Sequence, residues 1–296
     1  MANAQKSYAL VLHAGAGAKA GFDYAEVDEH LASLTLKGEA MLKSGGPALD
    51  VVDIMVTEME ASGYYVAGRG SAPNRVGQVE LDASIMEGHT QEAGAVCAIK
   101  DAVNPISVAK SVLQKTPYVT LAGSGAENYA RVEGFAFVED PKNYYKIPIG
   151  CTEDELNSEE MLHGTVGACA LDTYGNLASA TSTGGVFGKP EGRVGDTPMI
   201  GLGTWADGDV AISCTGTGEF FVRSGGALLV ANSFKLSGDS LEEACWRMLD
   251  EVKRLGGDGG LIAISKSGEI VTAYNSDGMK RAFVSEGKDV ISKTFK

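Results

Sequence analysis

Apolar residues open the chain in one short run, Tyr8-Ala9-Leu10-Val11-Leu12-His13, which Ala14-Gly15-Ala16-Gly17 cuts off. This predicts a buried strand entering a glycine loop. Over 23–43 the apolar positions Val27, Leu31, Leu34, Leu36, Met41 and Leu42 follow a helical period imperfectly and stop at Ser44-Gly45-Gly46. Pro47 then opens a second helix over 47–61, since proline suits a first turn. Alternation predicts strands at 79–86 and 94–99. Helices are expected from Pro105 to Gln114 and, briefly, from Gly123. Residues 139–164 carry seven acidic side chains and little apolar periodicity, which predicts a linker, partly disordered.

The second half centres on 163–185. Thr165 to Leu171 and Leu177 to Thr183 read as two strands of small residues joined by a turn at Thr173-Tyr174-Gly175-Asn176. The open ends of a hairpin lie side by side, so Thr165 should face Thr183. Further on, a strand is expected at 209–214 and helices at about 219–234 and 240–254, the latter opened by a Ser240/Glu243 capping box. A last hairpin joins 261–264 to 270–274 through Ser267-Gly268. Strands that are apolar on both faces need helices above and below. With hairpins rather than regular βαβ units, the pattern fits two antiparallel sheets stacked between two helix layers, an α+β arrangement.

Composition narrows the function classes. Lys+Arg 25 against Asp+Glu 39 gives a net charge of −14, which disfavours nucleic acid and anionic lipid as partners. The five cysteines are scattered, mostly in apolar runs, and form no zinc-type cluster. They read as small buried hydrophobes in a reducing compartment. No apolar run spans a bilayer and the first residues carry no signal region, so the cytoplasm is expected. Gly15-Ala16-Gly17-Ala18-Lys19-Ala20 fits a dinucleotide fingerprint, but the loop runs on before any helix and two helices follow where a second strand is required. A close-packing glycine loop is the better reading. There is no GxSxG, GxxxxGK[ST] or HExxH. The four histidines lie too far apart in sequence to suggest a Ser-His or Cys-His pair.

Thr165 is the candidate nucleophile. A cut between Gly164 and Thr165 would free an α-amine of pKa about 7.7–8.0, able to act as base for the residue's own hydroxyl. Gly164 would tolerate the strained backbone of an N-to-O acyl shift. Thr183 can hold the Thr165 hydroxyl. Arg193 and Asp196, in an RVGD loop, can read the carboxylate and ammonium of an amino acid, although a surface ion pair is the commoner meaning of such residues. Thr215-Gly216 offers a hydroxyl and a backbone N–H to an oxyanion.

The ordered set HAGAG, AGRG, ELDASIMEG, NPISVA, GSGAENYA, HGTVGACALD, ATSTGG, GRVGD, SCTGTGE and GGLIAI, spread over nearly the whole chain, resembles the plant-type asparaginase/isoaspartyl peptidase family of N-terminal-nucleophile hydrolases. The resemblance implies a four-layer αββα sandwich and a single domain, 1–296, that cleaves itself into 1–164 and 165–296. It implies a homodimer of the resulting αβ units. The implied reaction is hydrolysis of β-aspartyl (isoaspartyl) dipeptides and of the side-chain amide of asparagine. By position Thr165 matches the nucleophile and Thr183 the hydroxyl that contacts it. Arg193 and Asp196 match the substrate anchors, and Thr215 with Gly216 the oxyanion and product-binding pair. No catalytic cofactor is implied, and no metal beyond a structural sodium held by backbone carbonyls of the loop Glu60–Arg69. Two positions depart from the family. Val66 stands where asparagine is common, which predicts a preference for β-aspartyl dipeptides over asparagine, and Ala14 stands where glycine is usual. The alternatives are a glycosylasparaginase-like amidase, a catalytically weak member that acts as a binding protein and, more distantly, a dinucleotide oxidoreductase.

Overall fold

The computed structural model describes residues 7–156 and 164–296. Twelve strands and nine helices follow in the described chain. The first half runs β1 (Ala9–Ala16), α1 (Ala25–Lys43), α2 (Ala48–Ser62), β2 (Glu80–Glu87), β3 (Ala93–Lys100), α3 (Pro105–Lys115), β4 (Thr120–Ala122), α4 (Gly123–Val132), α5 (Pro141–Tyr144) and α6 (Glu153–Leu156). The second half runs β5 (Val166–Leu171), β6 (Leu177–Thr183), β7 (Thr204–Ala206), β8 (Val210–Gly216), α7 (Gly218–Ser224), α8 (Gly226–Leu236), α9 (Leu241–Arg254), β9 (Gly259–Ser265), β10 (Ile270–Tyr274), β11 (Met279–Ser285) and β12 (Ile291–Lys293).

The strands form two sheets, ordered β12-β11-β1-β5-β6-β2-β3-β4 and β10-β9-β8-β7. All ladders are antiparallel except β3 with β4. One core joins α1 to α3 to the outer face of the large sheet, through residues such as Leu31, Val52, Met55, Ala168 and Ala180. A second joins α8 and α9 to the small sheet, through Val230, Met248, Ile212 and Leu261. A third lies between the sheets, with Val11, Cys169, Leu177, Ala211 and Ile264. The layers are therefore helix, sheet, sheet, helix: the αββα sandwich. Small side chains on β5 and β6 let both flanking layers approach a strand pair that is buried on both faces.

The hairpin forms as its pattern predicts, with Val166 opposite Ser182 and Leu171 opposite Leu177. Asp172 organises the turn. Its Oδ1 accepts the N–H groups of Tyr174 and Asn176, both at 2.9 Å, and its Oδ2 accepts the N–H of Ala48 at the start of α2. The turn is thus tied to a helix N-terminus, where a carboxylate is favoured.

Three expectations change. The helix expected over 219–234 is two helices, because Gly225 and Gly226 both adopt positive φ (84° and 41°). A Cβ on Gly226 would lie 2.1 Å from the Leu202 carbonyl oxygen, so the chain bends where that loop presses in. Within the expected linker, residues 141–149 are anchored: Tyr145 and Ile149 pack against the main core, and Ile149 N–H donates to the Tyr64 carbonyl. Residues 157–163 of that stretch, His163 included, lie outside the described residues. Finally, β11 was not expected, although it pairs with β1 and with the edge strand β12 in the large sheet. Lys280 and Arg281 interrupt its apolar pattern, yet both are buried, and Arg281 Nη1 donates to the Met279 and Thr294 carbonyls.

Candidate active site

Thr165 precedes β5 at the edge of the inter-sheet layer and is buried. Its Oγ1 donates to Thr183 Oγ1 at 3.1 Å, the contact that the hairpin register requires. Thr183 Oγ1 also accepts the Gly185 N–H at 3.0 Å and donates to the Val66 carbonyl at 3.5 Å. With its acceptor side occupied, Thr183 fixes the direction of the Thr165 hydroxyl.

Beside the two threonines lies a narrow pocket lined by Thr165, Thr183, Gly185, Arg193, Asp196 and Gly216 among others. Arg193 is held by Glu219, which accepts from Nε and Nη2 at 2.9 Å each. Its Nη1 is left against the glycines of the pocket: a Cβ would lie 2.9 Å from Nη1 at Gly195 and 3.4 Å from it at Gly185. The glycine cluster makes room for the guanidinium. Behind it, buried Lys189 donates to the Glu80 carbonyl at 2.6 Å, and the Glu80 carboxylate accepts from Gly192 N–H and Asn74 Nδ2. These contacts pin the loop that carries Arg193 to β2.

Asp196 is buried, and its Oδ2 has no hydrogen-bond partner among the described residues. Burial pushes its carboxyl up to about 7, against the pull of its own backbone N–H and of Arg193. A buried carboxyl with one unpartnered oxygen, beside an arginine with one open face, suits a ligand that carries both an ammonium and a carboxylate.

Gly216 lines the pocket, with φ +151° at the end of β8. The Thr215 hydroxyl accepts the Ala16 N–H at 3.2 Å, which ties it to the end of β1. A hydroxyl that accepts there still has its own proton to donate. The pocket thus brings together Thr165, Thr183, Arg193, Asp196 and Gly216, while Thr215 is next to it in sequence and its hydroxyl meets Ala16.

Other polar residues of the site escaped the sequence reading. The fold brings His13 to Ser213, Nε2 to Oγ, at 2.9 Å. Ser213 shares a hydrogen bond with Thr181 at 2.7 Å, Thr204 donates to Thr181, and Ser84 donates to Thr204 at 2.8 Å. Burial lowers the His13 pKa to about 3, opposed by a hydrogen bond to the Thr165 backbone, so the ring is neutral at working pH. The available signal was spacing: Thr181 and Thr183, or Ser213 and Thr215, share a strand face.

In the expected sodium loop, the carbonyls of Tyr64, Tyr65, Val66, Ala67, Gly68 and Arg69 each accept a backbone N–H, so a cation there would share them. The buried Glu60 carboxylate is turned instead to Ser182 Oγ, Ile106 N–H and Asn104 Nδ2. Among the described residues no group of three or more His, Cys, Asp or Glu is arranged to hold a metal.

A family model described as asparaginase matches residues 6–147 and 141–293. The chain is 39% identical over 294 residues to an isoaspartyl peptidase of Salmonella typhimurium, covering 93% of this chain and 94% of that one. It is 38% identical over 295 residues to the isoaspartyl peptidase of Escherichia coli strain K12, covering 93% and 92%. Against an isoaspartyl peptidase/L-asparaginase of Mus musculus it is 39% identical over 296 residues, covering 95% and 89%. With matches of this extent over a sandwich whose paired threonines end the central hairpin, the chain belongs to the isoaspartyl peptidase/L-asparaginase family of N-terminal-nucleophile hydrolases.

Proposed function

We propose that the protein is a self-processing amidohydrolase that cleaves β-aspartyl dipeptides and the side-chain amide of asparagine through Thr165. The observation that carries the reading is the Thr165–Thr183 contact in the lining of a pocket that also holds Arg193 and Asp196, whose Oδ2 has no partner among the described residues. Cleavage between Gly164 and Thr165 frees the α-amine, which takes the hydroxyl proton as Oγ1 attacks the substrate carbonyl. Arg193 Nη1 binds the α-carboxylate and Asp196 the α-ammonium. The Gly216 backbone and the Thr215 hydroxyl supply the donors for the oxyanion. The amide C–N bond breaks, the departing ammonia or α-amine takes the proton held by the Thr165 amine, and water then hydrolyses the threonyl ester to aspartate and free Thr165.

Two αβ units pair as a homodimer in this reading, and a sodium held by the carbonyls of 60–69 is structural, outside the chemistry. The test is a panel of asparagine, β-aspartyl dipeptides and glycosyl-asparagine, with the chain followed by mass spectrometry. Turnover of the first two by cleaved protein supports the proposal. A preference for glycosyl-asparagine, or a cleaved chain that binds without turnover, favours one of the alternatives. A higher kcat/KM for the dipeptides, narrowed in Val66→Asn, is the expected specificity.

A further inference from the structure

The residue before Thr165 occupies a slot one backbone wide. A Cβ placed on Gly15 would lie 2.6 Å from the Gly164 Cα. From the opposite side, a Cβ placed on Gly164 would lie 2.7 Å from Val66 Cγ2 and 3.2 Å from Val66 Cβ. Gly164 is not among the positive-φ glycines, so the slot, and not an unusual backbone conformation, demands a glycine.

Val66 has little room to retreat. Its side chain is buried with Ala72 and Phe187, and Cys151 packs against that group. Its carbonyl accepts the Gly184 N–H at 2.8 Å and the Thr183 hydroxyl at 3.5 Å. Thr183 in turn accepts the Thr165 hydroxyl. One residue therefore touches both sides of the bond-forming pair. Its side chain meets the residue that carries the electrophilic carbonyl, and its carbonyl meets the hydroxyl that holds the nucleophile.

We infer that Val66 is a positioning residue for self-cleavage, pressing Gly164 against the Gly15 loop so that the Gly164 carbonyl stays beside Thr165 Oγ1. The inference rests on the reading of Thr165 as a self-cleaving nucleophile. In the step, Oγ1 bonds to the Gly164 carbonyl carbon, the C–N bond breaks and the nitrogen takes the hydroxyl proton. Water then hydrolyses the ester to the Gly164 carboxylate and the free threonine. A glycine left loose explores many conformations, whereas attack needs the reacting atoms held about 3–3.5 Å apart. Once the bond is cut, the clamp has done its work, so its loss should fall on cleavage more than on turnover.

The experiment is a mass-spectrometric time course of cleavage in wild type, Val66→Ala, Gly164→Ala and the double variant, with kcat and KM on the cleaved fraction and a thermal melt of each. Val66→Ala should slow cleavage by tenfold or more, up to the roughly 10²-fold that a misplacement of about 1 Å costs. Turnover of its cleaved fraction should fall less. Gly164→Ala should be slow alone, and the double variant should cleave faster than Gly164→Ala, because the new methyl enters the space that Val66 vacates. A Val66→Ala chain cleaving at the wild-type rate overturns the clamp, and so does a double variant no faster than Gly164→Ala. If Gly164→Ala fails to fold, the Val66→Ala rate against its own turnover decides. A wild-type chain that is never cut sinks the reading of self-cleavage itself, and the clamp with it.

Discussion

The β5–β6 hairpin presents two buried faces that share a backbone and differ in chemistry. Toward α2, Val166, Ala168, Ala170, Ala178 and Ala180 join the main core. Toward the small sheet, the same strands offer Leu171 and Leu177 near the turn, Cys169 opposite Ser179 in the middle, and Thr165, Thr181 and Thr183 toward the open end. The α2 face needs volume and one polar pair, Ser182 Oγ donating to buried Glu60. The hydroxyl face is equally dry and must satisfy its own donors: Ser179 donates to the Ile212 carbonyl, Thr181 meets Ser213 and Thr204, and Thr165 meets Thr183. A hydroxyl in such a layer has one place to point. That orders a nucleophile before any substrate arrives.

The largest expected effect removes the end of that row. Thr165→Ala should remain one chain of 296 residues and lose turnover by roughly 10⁴-fold or more, as loss of a nucleophile does elsewhere. Thr165→Ser keeps the hydroxyl and should retain both activities in part. Mass spectrometry and a substrate assay read both variants. Thr165→Ala cleaved at the same bond would remove this residue from the chemistry.

Arg193→Ala comes next. The substrate carboxylate loses a charge-assisted bond worth about 1.5–3 kcal/mol, or about ten- to a hundredfold in kcat/KM, carried mainly by KM. Glu219, deprived of its bidentate partner, keeps its charge at the pocket edge and adds repulsion. A β-amide without an α-carboxylate should be insensitive to the change. Equal losses on both substrates would assign Arg193 to the scaffold.

The two faces can be set against each other directly. Thr181→Val keeps the shape and strips a hydroxyl from the network, leaving Ser213 and Thr204 short of a partner, at about 1–3 kcal/mol. Ala180→Ser makes the opposite chemical change on the α2 face, and its added hydroxyl meets a core of aliphatic side chains. Both should lower the melting temperature by several degrees. If Thr181→Val is neutral, the hydroxyl row does not hold the layer.

Legibility from sequence followed the range of each interaction. The Thr165–Thr183 pair is a consequence of hairpin register, and the RVGD and TGTGE segments sit on loops that glycines mark. What was hidden depends on distant partners. His13 and Ser213 are 200 residues apart. The grip of Glu219 on Arg193 joins two loops that both look complete alone. β11 hid behind buried Lys280 and Arg281, since alternation assumes that charge means surface. The break at Gly225-Gly226 was visible as residues, but only the Leu202 carbonyl pressing on it explains why the helix ends there.

The smallest effect concerns protons at the pocket. An unfolded chain releases the Asp196 proton near the ordinary value of 3.8, while the folded, ligand-free protein holds it to about 7. Between those values the folded state binds more protons, so raising pH lowers stability; below about 4 this contribution is absent, and above about 7 it is complete. Glu60, pushed up to about 8 by burial, acts with the same sign. Binding runs the other way, because only the carboxylate attracts an α-ammonium. kcat/KM for asparagine should therefore climb through pH about 7. The free Thr165 amine, with an ordinary pKa of about 7.7–8.0, titrates nearby, so two limbs overlap. A β-amide that lacks the α-amino group separates them: it keeps the limb of the nucleophile and loses that of Asp196. In Asp196→Asn the asparagine profile should collapse onto that single limb, and the ligand-free protein should lose less stability between pH 4 and 7. A profile for asparagine that superimposes on that of the amine-free amide in the wild type would show that Asp196 does not meet the ammonium.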